Sequence, residues 1–344
     1  LFTNFTSLSS SSKKSSYYGY VNYKKGDGFR LNSEFESINT FQNFNYNLNE
    51  KSKITGEITY MEYLAHQAGG LSDFMFANDP FQSNRERNWF EIKWFLYNLK
   101  YILEISEDSS FSFSFFGLDA KRNSLGFRTN RVDQIDYGYE RDLIKGNFKN
   151  FGFESRYLTN YSFFNRKSYL LLGVKYYNSY SQSIQGPGSN SKDADFNFDY
   201  VSFPNYVNQS EYSYPNNNLA IFGENIFYLN DKLSITPGFR FENINTSLDG
   251  YYRKINLDAA GNTIYNERFD EQDTKKRKFL LLGLGLSYRN QDLEIYTNFS
   301  QNFRSVTFAD ISIINPAYAI NPSIDDEKGF TFDLGFRGNY KKIV

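Results

Sequence analysis

The sequence is dominated by an alternation of apolar and polar residues with a period of two. Between residues 233 and 243 the odd positions are mainly apolar, whereas the even positions are polar, small or charged, as Phe239 and Arg240 illustrate. Successive side chains of a β-strand point to opposite faces, so this period predicts strands with one apolar and one polar face. Residues 280–288 and 330–337 repeat the pattern. The chain is therefore predicted to be all-β.

About 13 segments show this alternation, and many are near the 9 to 11 residues that a tilted strand needs to cross a bilayer. Over most of the chain, each predicted strand has one apolar face and one polar face. The predicted strands are residues 17–24, 29–36, 40–48, 53–62, 89–104, 111–119, 148–163, 169–178, 219–229, 233–243, 280–288, 293–301 and 330–337.

The predicted connections alternate between short and long. Short polar turns are predicted at residues 25–27, 49–52, 106–109, 165–167, 230–232 and 290–292. Long segments are predicted at 64–88, 120–147, 179–218, 244–278 and 303–328, and one outer connection, 37–39, is short. Outer-membrane barrels have short periplasmic turns and long outer loops, whereas a soluble β-sandwich has no reason to alternate in this way.

Composition agrees with strands that face lipid on one side. The chain has 36 Phe, 29 Tyr and 2 Trp, which is 19% aromatic, yet its mean hydropathy is -0.61. It contains no run of about 18 apolar residues, so helical membrane spans are excluded, while a transmembrane strand needs only alternation. We therefore predict an antiparallel transmembrane β-barrel. Bacterial barrels need an even number of strands, so residues 1–344 are expected to form part of a barrel domain.

Charge and cysteine content exclude several functions. The chain has no Cys, which removes disulfides, thiolate metal sites and cysteine nucleophiles. Lys plus Arg number 38 against 39 Asp plus Glu, so no global positive charge indicates a nucleic-acid partner. The first residues lack the features of a signal peptide, and 9–16, SSSSKKSS, is predicted to be a flexible approach to the first strand. Residues 340–344 are predicted to form a turn after the last strand.

No residues favour catalysis. The only histidine, His66, is predicted to be a solvated loop residue, because no Ser and carboxylate partners recur near it. The acidic run Asp325, Asp326 and Glu327 is predicted to be a solvated rim rather than a metal site. The chain is therefore predicted not to be an enzyme and to hold no metal or cofactor of its own, any metal arriving already chelated.

Arginines in two predicted outer loops are the candidate ligand-binding residues. Guanidinium groups stay charged and bind carboxylates through two hydrogen bonds, so several at the mouth of a barrel could hold a polyanionic chelate. The alternative for each is a role in loop solvation or contact with lipopolysaccharide phosphates. The six are Arg122, Arg128, Arg131 and Arg141 in 120–147, and Arg85 and Arg87 in 64–88.

Aromatic residues near strand ends are predicted to form a membrane-interface belt. These residues are Trp89, Phe90, Tyr176 and Tyr177. Aromatic residues within the loops are expected to pack the loops, with stacking on a ligand as the alternative. These are Phe127, Tyr137 and Tyr139.

Four stretches resemble the ferric-citrate type of TonB-dependent outer-membrane receptor, in the same order along the chain. They are AGGLSDFMFANDPFQSNRERNWF at 68–90, LSITPGFRFENI at 233–244, IYTNFSQNFRSVTFADI at 295–311 and IDDEKGFTFDLGFRG at 324–338. Together they place essentially the whole chain within the barrel of such a receptor, and they are most similar to the forms common in Bacteroidetes-like bacteria.

The resemblance implies a 22-stranded barrel that is filled by an N-terminal plug. The outer loops would close over a ferric citrate or siderophore chelate, and TonB with ExbB and ExbD would supply energy through the plug. Arg122, in LDAKRNSLGF, resembles an arginine that lines the chelate pocket, and Arg141 matches a second. A third pocket arginine, expected within 205–218, has no counterpart there. The plug and the last strands are not among residues 1–344.

Two rival functions remain from the sequence. A passive porin or an adhesin-like outer-membrane barrel would share the strand pattern but would not couple to TonB. A soluble β-sandwich or secreted binding protein would bury the apolar face in a core, and it would stay in solution without detergent.

Overall fold

Within the residues that it describes, a computed structural model shows thirteen strands in one antiparallel sheet, in which each strand is hydrogen-bonded to the next along the chain. The structure describes residues 1–129, 131–307 and 324–338. The strands are β1 (Phe2–Ser11), β2 (Ser15–Gly26), β3 (Phe35–Asn49), β4 (Ser52–His66), β5 (Trp89–Ser106), β6 (Ser109–Gly126), β7 (Arg141–Phe163), β8 (Arg166–Gly188), β9 (Gln209–Tyr228), β10 (Leu233–Leu257), β11 (Thr263–Asn290), β12 (Leu293–Arg304) and β13 (Glu327–Gly338). One short helix, α1 (Asp73–Asn78), lies between β4 and β5. Among the described residues, no helix has the length and apolar character to cross a membrane.

The predicted alternation is confirmed by the register of the strands. Phe239 of β10 pairs with Leu282 of β11, and Phe241 pairs with Leu280, so apolar residues are grouped on one face. Each of these four side chains is 38–52% exposed, so the apolar face has no core behind it. An exposed apolar face of this kind suits contact with lipid, as expected of a barrel wall and not of a soluble sandwich. We call it the outward face and the opposite one the inner face.

The N-terminal prediction was wrong. Residues 9–16 are not a flexible approach, because β1 continues to Ser11 and a turn at 12–14 leads into β2. The pairing runs from Phe2 opposite Lys25 to Ser11 opposite Ser16, and the rings of Phe5 and Tyr20 lie 5.4 Å apart. The serines concealed this strand because they carry no apolar alternation, although their backbone pairs as well as any other.

The assignment of residues 29–48 to two strands was also wrong. Residues 27–34 form a loop, in which Gly28 and Asn32 have positive φ values of 77° and 55° that reverse the chain. Residues 37–39 lie inside the single strand β3 and are no connection at all. The total of thirteen strands agrees with prediction because one strand was missed and another was counted twice.

With these corrections the connections alternate regularly. Short turns at 12–14, 50–51, 107–108, 164–165, 229–232 and 291–292 mark one end of the sheet. Loops at 27–34, 67–88, 189–208 and 258–262, the described residues of 127–140, and the segments 305–307 and 324–326 mark the other, which we call the outer end. Most of the predicted long segment 303–328, and the turn predicted at 340–344, lie outside the described residues.

The segment 244–278, predicted as a long loop, is mostly strand. β10 and β11 pair continuously beyond the apolar face, and only residues 258–262 connect them. Tyr252 and Phe269 stack across this hairpin with ring centroids 5.1 Å apart. Strands β6 to β9 likewise extend into the predicted loops 120–147 and 179–218. The alternation fades in these extensions because water, not lipid, lies on both faces.

Candidate functional site

A concave pocket of about 690 Å³ lies on the inner face between β6 and β11. Its lining combines two arginines, three aromatic rings, several hydroxyl and amide groups, and the start of the loop after β12. The residues are Arg122, Ile144, Gly146, Phe148, Tyr177, Ser179, Ser181, Gln182, Ser183, Tyr214, Asn216, Asn218, Ile244, Thr246, Arg277, Ser305, Val306 and Thr307.

The register of the strands explains why these side chains meet. Paired residues of neighbouring strands share a face, and Arg122 of β6 is opposite Gly146 of β7, which is opposite Ser183 of β8. One step further from the outer end, Phe148 of β7 is opposite Ser181 of β8. The absence of a side chain at Gly146 leaves room beside Arg122, whose guanidinium lies 5.9 Å from the centre of the Phe148 ring.

Arg122 is the available cation of this pocket. Its side chain is exposed on the inner face, and it makes no ion pair with any residue that the structure describes. Asn218 presents a buried side-chain oxygen that lacks a hydrogen-bond partner in the described part of the chain. The pocket therefore offers one charged donor, uncharged polar groups and aromatic surface to a small ligand.

Arg277 is a second pocket arginine, which sequence reasoning missed. It is buried, with its Nε atom 2.6 Å from a carboxylate oxygen of Asp326 and Nη2 2.9 Å from the carbonyl oxygen of Val306. Its hydrogen bond holds the pKa of Asp326 below the usual value. Asp326 also accepts a hydrogen bond from the Val306 N–H, so the pair fixes the wall of the pocket.

The prediction of a solvated acidic rim at 325–327 was wrong for Asp326, whose side chain is 23% exposed, whereas Glu327 is 62% exposed, as predicted. Asp326 is paired with Arg277, and Glu327 accepts a 2.8 Å hydrogen bond from Nε of Arg304. Asp326 joins β11 to the segment that follows β12, and Glu327 pairs with the opposite residue of β12. Asp325 is exposed.

Arg141 is the most deeply buried of the six predicted arginines, with no exposed surface. Its guanidinium donates to the carbonyl oxygens of Ser189, Asp193 and Arg87 at 2.8, 2.7 and 3.1 Å, and to the hydroxyls of Ser189 and Ser191 at 3.0 Å each. All of these acceptors belong to the loops 67–88 and 189–208. Arg141 thus holds two outer loops against the start of β7.

Arg87 joins the same loops to a third. It makes a two-pronged ion pair with Asp136 at 2.5 and 2.9 Å, and it donates to the carbonyl oxygens of Tyr139 and Asn190 at 2.9 Å each. Burial raises the pKa of Asp136, but hydrogen bonds from Arg87 and from the Gly138 N–H outweigh this effect, and the pKa lies below its usual value. Asp136 therefore stays ionised beside Arg87.

Arg85 organises the loop 127–140 from within. It donates to the carbonyl oxygens of Gln134 and Val132 at 3.1 and 3.3 Å and to the Thr129 hydroxyl at 3.2 Å. Its guanidinium also lies 5.1 Å from the centre of the Phe127 ring. Burial lowers the pKa of Arg85, since the desolvation is only partly offset by Asp136. Phe127 thus packs the loop, as expected.

The last two predicted arginines are more open to solvent. Arg128 donates to Asp142 at 3.0 Å and keeps half of its side chain exposed, while Asp142 also accepts from Gln185 at 2.9 Å and Tyr206 at 2.7 Å. Arg131 is 73% exposed and pairs with Asp133 at 2.6 Å. The six predicted arginines thus differ in the groups that they contact in the structure. Ligand binding by any of them stays a prediction.

His66 is not the solvated loop residue that was predicted. It ends β4, its side chain is 7% exposed, and its ring stacks on Trp89 with centroids 4.0 Å apart. Its Nδ1 lies 2.7 Å from a carboxylate oxygen of Glu34, and Nε2 lies 2.7 Å from the carbonyl oxygen of Glu86. It therefore ties the loop 27–34 to the loop 67–88.

Two of the four residues predicted for the interface belt, Phe90 and Tyr177, lie on the inner face, since Phe90 is opposite Ser124, two positions from Arg122. Tyr177 lines the inner pocket. Trp89 donates its indole N–H to the carbonyl oxygen of Lys192 at 2.8 Å and so helps to hold the loop 189–208. Tyr176 packs against Phe153 on the outward face, with ring centroids 5.6 Å apart.

Three solved structures with the same fold are described as a ferric citrate transporter, a ferric yersiniabactin uptake receptor and a siderophore receptor. The unliganded ferric citrate transporter FecA aligns with a TM-score of 0.74 at 16% identity over 98% of this chain and 46% of its own. The ferric yersiniabactin uptake receptor FyuA from Yersinia pestis gives 0.73 at 12% identity over 98% and 50%. The siderophore receptor PiuA from Acinetobacter baumannii gives 0.74 at 9% identity over 99% and 53%. The chain thus spans about half the length of these structures.

No curated protein matches the chain. The family described as TonB dependent receptor-like, beta-barrel matches residues 2–343, nearly the whole chain. The thirteen-stranded antiparallel sheet, its exposed apolar outward face and its alternating short turns and long loops fit that description. The chain belongs to the TonB-dependent receptor-like β-barrel family.

Proposed function

We propose that this chain is the larger part of the barrel of an outer-membrane receptor that imports a ferric chelate. Proteins of this family reside in the outer membrane and act as receptors and transporters rather than enzymes. The observation that supports import most directly is the inner pocket, where Arg122 faces the lumen without an acidic partner among the described residues. A cation that is not neutralised by its own protein is suited to hold an anionic ligand.

The proposed cargo is ferric citrate or a siderophore of similar size. The pocket supplies hydrogen bonds from Ser181 and Asn216 and ring surface from Phe148 and Tyr214, in addition to the charge of Arg122. Such a mixture binds chelates that carry negative charge at one side and neutral donor groups elsewhere. FecA is described as a ferric citrate transporter and FyuA as a ferric yersiniabactin uptake receptor, so both chelate classes belong in the test.

The proposed mechanism needs parts outside residues 1–344. The barrel would have 22 strands, of which this chain supplies thirteen, and a plug would fill it. TonB with ExbB and ExbD would pull on the plug, and lipopolysaccharide would surround the outer end of the strands. Under this proposal the loops fixed by Arg85, Arg87 and Arg141 form a stable rim beside the entry path.

Arg122→Ala in the full-length receptor is expected to weaken chelate binding by about 10- to 100-fold, because a hydrogen-bonded charge pair with the ligand is lost. The dissociation constant is measured by fluorescence quenching of the purified receptor, with ferric citrate and a ferric siderophore titrated separately. Arg289→Ala is the matched control, since Arg289 is exposed and paired with Glu294 at the short-turn end of the sheet, away from the pocket.

Unchanged affinity of Arg122→Ala for every chelate tested would contradict the assignment of the pocket. Growth on each chelate as sole iron source, in cells with and without TonB, then distinguishes import from a passive porin or an adhesin-like barrel. Import requires that growth depend on TonB, whereas passive entry would be independent of it.

A further inference from the structure

Both ring nitrogens of His66 face groups that accept hydrogen bonds. Nδ1 lies 2.7 Å from a carboxylate oxygen of Glu34, and Nε2 lies 2.7 Å from the carbonyl oxygen of Glu86. A neutral imidazole has one N–H donor and one acceptor nitrogen, whereas the imidazolium ion has two donors. Beside an ionised Glu34, only the protonated ring therefore satisfies both contacts.

The aromatic neighbour of His66 favours the same charged form. The ring lies on the indole of Trp89 with centroids 4.0 Å apart and planes inclined by only 4°. A cation over the face of a tryptophan ring is attracted by its π electrons, and the attraction is stronger away from water. The side chain of His66 is 7% exposed, so the indole and the Glu34 carboxylate replace the water around a charged ring.

Glu34 is the carboxylate that is available to balance this charge. Other acidic groups on the elements around His66 have lysine partners, which are Lys25 for Glu36 at 3.6 Å, Lys192 for Glu86 at 2.8 Å and Lys93 for Glu91 at 3.2 Å. Arginines of the same loops are engaged elsewhere, Arg30 with the Gly69 carbonyl and Arg87 with Asp136. Among the described residues, Glu34 forms an ion pair with His66 and with no lysine or arginine.

The proton belongs to His66 and not to Glu34. Burial raises the pKa of Glu34, but hydrogen bonds from its own backbone N–H and from His66 outweigh this effect, and the pKa lies below its usual value. A protonated Glu34 that donates to a neutral ring is therefore disfavoured. The contact is an ion pair whose positive partner can lose its charge.

Three outer loops meet at this histidine. Glu34 belongs to the loop 27–34 and Glu86 to the loop 67–88, while the indole N–H of Trp89 donates to the carbonyl oxygen of Lys192 in the loop 189–208 at 2.8 Å. We call His66, Glu34, Glu86 and Trp89 the His66 latch. The charge of one ring thus acts on the way in which all three loops are held.

We propose that the His66 latch is a pH-sensitive device that ties the outer loops together in acid and loosens them as the pH rises. Histidine changes its charge between about pH 5 and pH 8. The neutral ring keeps its N–H on the carboxylate, because a hydrogen bond to a charged acceptor is the stronger one, and its other nitrogen no longer donates to the Glu86 carbonyl. The loop 67–88 is then released.

The sign of this effect follows from the contacts of the charged ring. The folded loops bind the proton of His66 more tightly than separated loops do, so the latch is closed at low pH and opens at high pH. The long loops of an outer-membrane barrel face the outside of the cell, so the pH that acts on the latch is that of the surroundings. The latch lies apart from the inner pocket and does not depend on the cargo.

The test is hydrogen exchange of the full-length receptor in detergent at about pH 5 and about pH 8, with each rate divided by the intrinsic rate at that pH. Protection of amides in 67–88 is expected to fall about 10- to 100-fold from the lower to the higher pH, as one hydrogen bond of a charged group is lost. Exchange in β10 and β11 is the internal reference.

Two variants separate the latch from a general effect of pH. In Glu34→Gln the new amide can donate to Nδ1 of a neutral ring, which leaves the Nε2 proton for the Glu86 carbonyl, so the fall in protection is expected to disappear. Glu36→Gln is the matched control, since Glu36 lies two residues away, is about half exposed and is paired with Lys25. It is expected to keep the full fall.

Heat-modifiable migration on a gel verifies that each variant is folded. The proposal is overturned if the unaltered receptor is equally protected at both pH values, if folded Glu34→Gln keeps the full fall, or if Glu36→Gln abolishes it.

Discussion

Arg141→Met is expected to release the loop 189–208 from the outer end of β7 while leaving the barrel wall intact. Methionine keeps most of the apolar stem but none of the donors, so the carbonyl oxygens of Ser189, Asp193 and Arg87 lose their hydrogen bonds in a buried site. Each buried acceptor without a partner costs about 1–3 kcal/mol, and three of them cost about 3 kcal/mol or more. Hydrogen exchange of amides in 189–199 is expected to accelerate roughly 100-fold.

Arg131→Met is the matched control for this loop experiment. Arg131 is exposed and pairs only with the nearby Asp133, so its loss is expected to change local stability by less than about 1 kcal/mol. Exchange in β10 and β11 serves as an internal reference, since no contact of Arg141 reaches these strands. Unchanged exchange in 189–199 of the Arg141 variant would mean that Arg141 does not hold the loop.

Because of these contacts, a loss of ligand binding or uptake has a different interpretation at Arg141 than at Arg122. A loss of uptake in Arg141→Ala would follow from loop release as well as from a lost ligand contact, because five acceptors depend on this side chain. Arg122 makes no such contact with a loop residue that the structure describes, so its replacement leaves the described loops undisturbed. Arg122 alone therefore tests ligand binding, and Arg141 tests the assembly of the rim.

The strands were predicted correctly where one face meets lipid. They were predicted wrongly where neither face carries an apolar pattern. On β10 and β11 the outward residues are apolar from Leu233 to Phe241 and from Leu280 to Leu286, and the alternation is unbroken. Hydrocarbon on one face enforces this pattern. The serine-rich β1 and the hairpin at 244–278 have polar residues on both faces, so period alone could not distinguish strand from loop there.

The sequence predicted which type of residue forms the candidate site, but not which groups those residues contact. The arginines were identified, yet the pairing of Arg141 with Gly188 brings the loop 189–208 to β7 from far along the chain. Arg277 could have been found from the sequence. Continuing the alternation back from Leu280, which faces outward, places every odd residue of β11 on the inner face, including Arg277.

Leu284→Arg is expected to destabilise the barrel strongly, whereas Thr236→Arg is expected to be tolerated. Leu284 lies in the middle of the apolar surface of β11, opposite Pro237, and is 40% exposed on the outward face. An arginine at the centre of a bilayer costs a transmembrane barrel about 2–4 kcal/mol, and the lost leucine adds to this. Thr236 is at the same depth on the inner face, away from hydrocarbon and opposite Gly285, which has no side chain to crowd a longer residue.

The measurement is the free energy of unfolding of the full-length receptor in lipid vesicles, obtained by denaturant titration. Because Leu284 and Thr236 are at matched depth on opposite faces, the difference between the two variants reports contact of the arginine with hydrocarbon together with the apolar surface lost with Leu284. A loss of about 4 kcal/mol at Leu284 and less than about 1 kcal/mol at Thr236 is expected. Equal losses at the two positions would mean that the outward face does not meet lipid, and the assignment of the pocket to the lumen would lose its physical basis.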